Sequence, residues 1–459
     1  MSAPAPAFPD WVPDAIFYQI FPDRFCNGDR ANDPPGAVLW DSAPRRDNFF
    51  GGDLRGILDK LDYLQDLGVN ALYLNPIFTA RTNHKYDTED YFQVDPAFGS
   101  NALLKALVAE IHRRGMHVIL DGVFNHCGAE FPPFRDLERN GPESPYRDWF
   151  LVRSYPIRRE PLSYMTCGGA DYLPKLNHAN PAVGEFILKV ARYWVEEAGI
   201  DGWRLDVPFK IPFDFWRQYR RAVPEAYLVG EVWREAGPWV QGDIFDGATN
   251  YRLRELLLDY CLTHVLDGED FGFETEMLLR AHGPGQQAML NLLGSHDTAR
   301  IFTVLGGDLG RLRMALTYIM TTPGAPLIYY GDEVGLAGET DPDCRRGMPW
   351  EANQWHPGVV ALYHRLIALR QAHPTLRRGE RQALFAFNGA FAYRMALGGD
   401  EVIVALNPRQ ALPDVSLPAA GAYAAWKDSE TGKVYAVQGG KIELGDLPAR
   451  SALVLVKAD

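Results

Sequence analysis

The sequence contains no CxxC pair, no basic tract and no apolar run long enough to cross a membrane. Each absence closes off a class of function. The five cysteines, Cys26, Cys127, Cys167, Cys261 and Cys344, are odd in number and scattered. They indicate neither a disulfide framework nor a zinc–thiolate site. The longest apolar runs, such as 71–74 and 325–330, are strand-length, well short of the roughly 20 residues that a spanning helix requires. With a net charge of −13 and no basic patch to offset it, the average field repels nucleic acid. The first residues, MSAPAPAFPD, carry neither a basic n-region nor an apolar h-region. A reduced, cytoplasmic setting is therefore expected.

What remains is the balance of a globular protein: 459 residues, 47% hydrophobic and 23% charged, enough for two or three domains. Aromatic residues make up 12%, including 11 Trp. That suits stacking on sugar faces, although large aromatics are also ordinary core material. Short apolar runs alternate with helical periodicity. Strands are expected at 15–20, 69–74, 116–120, 200–205, 227–230, 243–245, 289–293 and 326–330. Between them lie helices such as 53–67, closed by Gly68, and one capped by Ser100 and ended by Gly115. Eight βα units make a (β/α)8 TIM barrel the leading architecture. From 127 to 178 the rhythm breaks into Pro-rich irregular sequence, too long for an ordinary connection. Past the helix 359–372 come short alternating strands at 384–393, 401–406, 421–428, 433–437, 441–443 and 452–456. These predict an antiparallel β domain, a sandwich. The expected division is 1–126 and 179–376 for the barrel, 127–178 for an insertion and 377–459 for the C-terminal domain.

Catalytic groups in such a barrel sit where strands end. Strand three ends in Asp121-Gly-Val-Phe-Asn125-His126, strand four in Arg204-Leu-Asp206, strand five in Glu231-Val-Trp233 and strand seven in Ser-His296-Asp297. One acid after a strand is usually a helix cap; four such ends would each need a separate structural reason. Glycosidic cleavage requires a carboxylate and a carboxylic acid flanking the scissile bond, about 5–5.5 Å apart for retention. Arg204 lies on the same strand face as Asp206 and is expected to hold it ionised. Glu231, crowded by like charge and by Trp233, is expected to serve as the acid. On these residues alone, metal-assisted hydrolysis and aldolase-type chemistry stay open.

DGVFNH (121–126), GWRLDV (202–207), GEVW (230–233) and LLGSHDT (292–298) resemble the four signature regions of the α-amylase superfamily, glycoside hydrolase family 13. LPKLN (173–177) looks like the fifth region in its neopullulanase/cyclomaltodextrinase form, and VNALYLNPIF (69–78) and PGAPLIYYGDEVG (323–335) resemble further family segments. The resemblance implies Asp206 as nucleophile, Glu231 as proton donor and Asp297 as transition-state stabiliser. It implies that His126 and His296 contact the same sugar, that Arg204 steers Asp206 and that Asp121 supports the site. Tyr86, next to His84, resembles the tyrosine that stacks at the cleavage point. Trp233 would stack on the leaving-group side, and Asp341 and Arg345 resemble a sugar-binding pair. It names the insertion as domain B and the β domain as domain C. Two features depart from the pattern. The extra N-terminal β domain of most neopullulanase-type enzymes is not in this sequence, which makes a monomer or weak homodimer with an open cleft the expectation. Phe209-Lys210 replaces the usual Asn-Glu on the acceptor side.

Asn27, Asp29, Asn32 and Asp33 share one loop, with Gly51 and Asp53 downstream. Clustered oxygen ligands suit Ca²⁺, but the same residues are turn formers. The loop resembles the N-terminal calcium loop of neopullulanase-type enzymes, which implies a structural Ca²⁺ held by Asn27, Asp29, Asn32, Asp33, the Gly51 carbonyl and Asp53. The expected substrate is an α-glucan, cleaved at α-1,4 or α-1,6 bonds by a retaining route. Transglycosylation or isomerisation of trehalose or sucrose, and glucan binding without catalysis, are the competing readings.

Overall fold

A computed structural model describes residues 8–419 and 423–458. Eight strands run in one parallel sheet: β1 (Phe17–Ile20), β2 (Ala71–Leu74), β3 (His117–Gly122), β4 (Gly202–Leu205), β5 (Tyr227–Gly230), β6 (Gly247–Ala248), β7 (Leu290–Leu292) and β8 (Ala325–Tyr329). β1 pairs with both β2 and β8. A parallel bridge between Thr249 and Leu290 joins the remaining two edges and closes the barrel.

The period-two alternation of each strand divides the core. Phe17, Ala71, Tyr73, Ile119, Tyr227, Val229, Leu290 and Leu327 fill the barrel interior. Leu72, Leu74, Val118, Leu120, Trp203 and Leu228 face outward, against helix residues such as Leu104, Leu107, Val190 and Trp194. Trp194 and Trp203 are fully buried, and each large apolar side chain removed from water contributes about 2–3 kcal/mol. The helices start where the sequence says they should. Ser100 accepts the Leu103 N–H, and Asn180 accepts the Ala182 N–H. Helices Asn101–Arg113 and Pro181–Glu197 follow. The expected helix 53–67 is two, Leu54–Asp59 and Leu61–Leu67, parted at Lys60.

The sixth barrel strand corrects the sequence reading. It lies at Gly247–Ala248, beyond the expected 243–245. Ile244 and Phe245 are apolar because they pack against the outer helices, where Phe245 meets Trp216 and Trp239. The strand itself is built of small residues, and a Cβ on Gly247 would stand 1.9 Å from the Ala288 carbonyl.

The segment between β3 and β4 carries helix Pro132–Asn140 and isolated bridges that tie His126 to Lys175 and Phe150 to Leu176. The C-terminal domain is an eight-stranded antiparallel sheet around its own core of Ala392, Ile403, Leu417, Trp426, Ile442 and Leu455. Its strands are β9 (Glu380–Phe387), β10 (Ala390–Leu397), β11 (Asp400–Asn407), β12 (Leu412–Pro418), β13 (Ala425–Asp428), β14 (Val434–Gln438), β15 (Lys441–Leu447) and β16 (Ser451–Lys457). The expected strand 384–393 is instead a hairpin of β9 and β10, turning at Asn388-Gly389. β12 was not expected. The start of the expected strand 421–428 and the first residues of the N-terminal sequence lie outside the described residues. Among the described residues, the five cysteines are unpaired, and no helix is long and apolar enough to cross a membrane.

Candidate active site

The same alternation that fills the barrel with Ile119 and Val229 turns Asp121, Arg204 and Glu231 inward at the carboxyl ends of their strands. Arg204 is the hub. Its Nη1 lies 2.9 Å from Asp206 Oδ1 and 2.9 Å from Asp121 Oδ1, and its Nη2 lies 3.1 Å from Glu231 Oε1. Asp206 and Glu231 are each 6% exposed, so both carboxyls sit on one guanidinium at the floor of a cleft of about 510 Å³. Tyr86, His126, Asp206, Glu231, Trp233, His296, Asp297, Asp341 and Arg345 line that cleft. Asp121 and Arg204, also expected at the site, lie beneath it and hold it up. Asp121 accepts the hydroxyls of Tyr73 (2.6 Å) and Tyr86 (2.8 Å).

Burial, and next the charge of Glu231, push the Asp206 carboxyl well above the usual carboxylate range; Arg204 pulls it back. Asp206 takes Arg204 as its donor. Glu231 accepts the Val207 N–H (3.0 Å) and the Trp233 indole N–H (3.0 Å) in addition to Arg204. The ionised Asp206 expected from its arginine is thus opposed by burial and by its neighbouring acid.

Burial disfavours the charged form of the cleft imidazoles. Burial lowers His84 and His126 to about 4 and His296 well below its ordinary value. Gln19 Nε2 donates to His296 Nδ1 (2.8 Å), leaving Nε2–H to face Tyr86 OH at 2.7 Å and Asp297 Oδ2 at 3.2 Å. His126 Nδ1 faces the Asn125 amide at 3.1 Å, while its buried Nε2 lacks a hydrogen-bond partner. A buried donor left open beside a cleft is a place for a ligand acceptor. Asp297 is less enclosed, with its side chain 30% exposed, and Arg345 stands 3.4 Å from it and 3.1 Å from Asp341. Trp233 stacks flat on Tyr251, with centroids 3.8 Å apart and planes at 2°, so one indole face is covered and the other is free.

Sequence reasoning missed several of these groups. Arg46, Cys167, Tyr172, Leu173 and Val207 line the cleft. Gln19, Tyr73 and Tyr251 support it from below. For Gln19 and Tyr73 the inward phase of β1 and β2 was the available signal; Leu173 opens the LPKLN stretch already singled out, while Cys167 and Tyr172 offered none.

The expected calcium ligands meet only in part, and among the described residues no group of three or more His, Cys, Asp or Glu side chains comes together as a metal site. Asn27 Nδ2 donates to Asp33 Oδ1 (2.6 Å), and a Cβ on Gly51, held at φ 83°, would stand 2.3 Å from that oxygen. Asp53 accepts N–H groups of Gly28, Asp29 and Gly56 and the Asn32 amide. The Asp29 carboxylate caps the Ala31 N–H. Asn27 Oδ1 and Asn32 Oδ1 are buried without hydrogen-bond partners, which is the donor chemistry a hard cation takes.

The family profile of the alpha amylase catalytic domain matches residues 19–358. The chain belongs to the α-amylase family. It is 48% identical over 410 residues to a cyclomaltodextrinase of Bacillus sp., covering 87% of this chain and 73% of that protein. It is 43% identical over 449 residues to neopullulanase 2 of Thermoactinomyces vulgaris, covering 95% and 76%. The solved cyclic α-maltosyl-(1→6)-maltose hydrolase of Arthrobacter globiformis superposes with a TM-score of 0.90 at 39% identity, covering 98% of this chain and 100% of that one. This α-amylase family member is a glycoside hydrolase acting on α-glucans.

Proposed function

We propose that the enzyme hydrolyses α-1,4-glucosidic bonds of maltooligosaccharides, cyclodextrins, pullulan or starch by a retaining, double-displacement route. The observation that carries this reading is the pair of buried carboxyls on one guanidinium, with an open imidazole donor beside them. In the first step Glu231 delivers a proton to the glycosidic oxygen as Asp206 attacks the anomeric carbon. In the second step Glu231 takes a proton from water, which displaces Asp206. Arg204 Nη1 holds the charge that Asp206 must carry. Asp297, between His296 and Arg345, is placed to accept from ring hydroxyls, and His126 to donate to one. The relatives' names, a cyclomaltodextrinase, a neopullulanase and a hydrolase of a cyclic glucan with α-1,6 links, support short or cyclic α-glucans and add α-1,6 bonds to the range.

Transfer to a sugar acceptor uses the same covalent intermediate. Phe209, three residues past Asp206 in the chain and 53% exposed, favours it as a second reading, since an open aromatic face can hold a sugar acceptor. Product analysis separates the two. The enzyme and its Asp206→Asn variant would be incubated with maltotriose, β-cyclodextrin, pullulan, trehalose and sucrose. Glucose, maltose or panose from the α-1,4 substrates supports hydrolysis. Inertness there, with conversion of trehalose or sucrose, transfers the activity to the isomerase branch.

We also propose that Asn27, Asn32, Asp33, Asp53 and the Gly51 carbonyl, together with Asp29, hold a structural Ca²⁺. The two buried amide oxygens without partners support it.

A further inference from the structure

Val207 follows Asp206 directly and precedes Pro208. Its side chain is β-branched, and a residue before proline is pushed toward extended backbone. Yet it sits at φ 43°, ψ 47°, in the left-handed region. A bulky residue there is an outlier that the surrounding fold must impose.

The imposition is visible on both sides. The Asp206 N–H donates to the Gly122 carbonyl of β3 at 3.1 Å. Downstream, the Lys210 N–H closes on the Val207 carbonyl (3.2 Å), and the buried Trp216 indole N–H donates to the Pro208 carbonyl at 3.0 Å. Between these anchors the 206–207 peptide is turned so that the Val207 N–H meets Glu231 Oε2 at 3.0 Å. Of the donors on Glu231, Arg204 is shared with two aspartates, and Trp233 is a side chain 39% exposed. The Val207 N–H belongs to the backbone and cannot swing away.

We infer that Val207 is a positioning residue: its strained peptide, carried on the same turn as Asp206, fixes the Glu231 carboxyl relative to Asp206. The inference rests on the assignment of Glu231 as general acid. Strain in this peptide then serves proton delivery and leaves attack by Asp206 untouched.

The test replaces the 206–207 amide by an ester, using the α-hydroxy analogue of valine, which removes the N–H and leaves every side chain in place. Two substrates are compared by kcat/KM: maltotriose, whose leaving oxygen needs a proton, and α-maltosyl fluoride, whose leaving group does not. With maltotriose the ester enzyme is expected to lose roughly 10- to 100-fold, the scale of a lost hydrogen bond to a charged group. With the fluoride it should stay within about threefold, because acid assistance is not required there. Val207→Gly keeps the N–H and adopts the left-handed region freely. It should leave the ratio of the two substrates unchanged without lowering the thermal midpoint. Equal losses on both substrates in the ester enzyme, no loss in the ester enzyme, or a changed ratio in Val207→Gly would overturn the inference. Glu231→Gln is the control on the underlying assignment. It should lose maltotriose hydrolysis and keep the fluoride, and a variant that treats the two alike removes Glu231 as the acid whatever the ester enzyme does.

Discussion

At the scale of single residues, the site buries charged side chains at the floor of the cleft. Asp206 is buried beside Glu231, and its carboxyl is driven upward by that burial. Asp206→Asn is therefore expected to lower kcat by roughly a thousandfold or more, as removal of a nucleophile does. The same change removes a buried charge, so the thermal midpoint should be unchanged or higher. Calorimetry beside an assay on maltotriose reads both; a variant retaining half its activity, or one that melts far below the parent, contradicts Asp206 as the nucleophile. Asp121, His126, Arg204, Asp206, Glu231, His296 and Asp297 were legible because strand ends announce themselves as polar residues after an apolar run, whereas Tyr86, Trp233, Asp341 and Arg345 came from the family resemblance. Gln19 and Tyr73 sit inside such runs. Val207 acts through a backbone N–H that no side-chain pattern reports.

At the scale of elements, barrel geometry is what brings Arg204 under both carboxyls. β4 and β5 approach so closely at Gly202 that a Cβ there would stand 2.1 Å from the Tyr227 carbonyl. Backbone cannot give way as a side-chain tip can. Gly202→Ala should cost about 2–4 kcal/mol in denaturant unfolding, the range of severe overpacking, and misalign Arg204 with Glu231. An unchanged stability would show that the two strands separate freely. The loop with Asn27 and Asp53 makes a second test. If it binds Ca²⁺, the metal stabilises only the native chain, and EGTA should lower the thermal midpoint, with restoration by added Ca²⁺. A midpoint indifferent to both contradicts the site. Seven of the eight barrel strands were legible because each is an apolar run next to a helical period. β6 was not, since Gly247-Ala248 has no apolar signal and the hydrophobic residues nearby serve the outer layer. In the C-terminal domain the Asn388-Gly389 turn, with φ of 50° and 90°, is the dipeptide that two-residue hairpins favour. β12 was hidden by Pro413 and Pro418, which an edge strand tolerates and a central one does not.

At the scale of the whole molecule, several carboxyls are buried away from the cleft and held up by burial: Asp246 and Asp332 to about 6 and Glu333 to about 7. Glu333 lies fully enclosed and accepts the hydroxyls of Tyr18 (2.8 Å) and Tyr63 (2.6 Å). In the unfolded chain it releases its proton near 4.5, in the native protein near 7. Between those values the native state binds more protons, so stability falls as pH rises and the loss is complete above about 7. The shift corresponds to roughly 3 kcal/mol. Glu333→Gln keeps an acceptor for both tyrosines and should raise the thermal midpoint at pH 8, the gain shrinking toward pH 5; a gain independent of pH contradicts the linkage. The C-terminal domain is fastened to the barrel through Glu430, which accepts from Arg313 and Arg365, and through the Tyr260 hydroxyl, which donates to the Gly389 and Leu406 carbonyls. It thereby backs the barrel helices, while the cleft residues stand at the carboxyl ends of the strands.

The most direct test of a retaining route through Asp206 is to trap the covalent intermediate. Glu231→Gln would be incubated with α-maltosyl fluoride, quenched in acid and digested, and the peptides weighed. Double displacement predicts one maltosyl unit on the peptide holding Asp206, and none when Asp206→Asn is added to the same chain. Release of fluoride with no adduct, or an adduct on another residue, would contradict a retaining mechanism through Asp206.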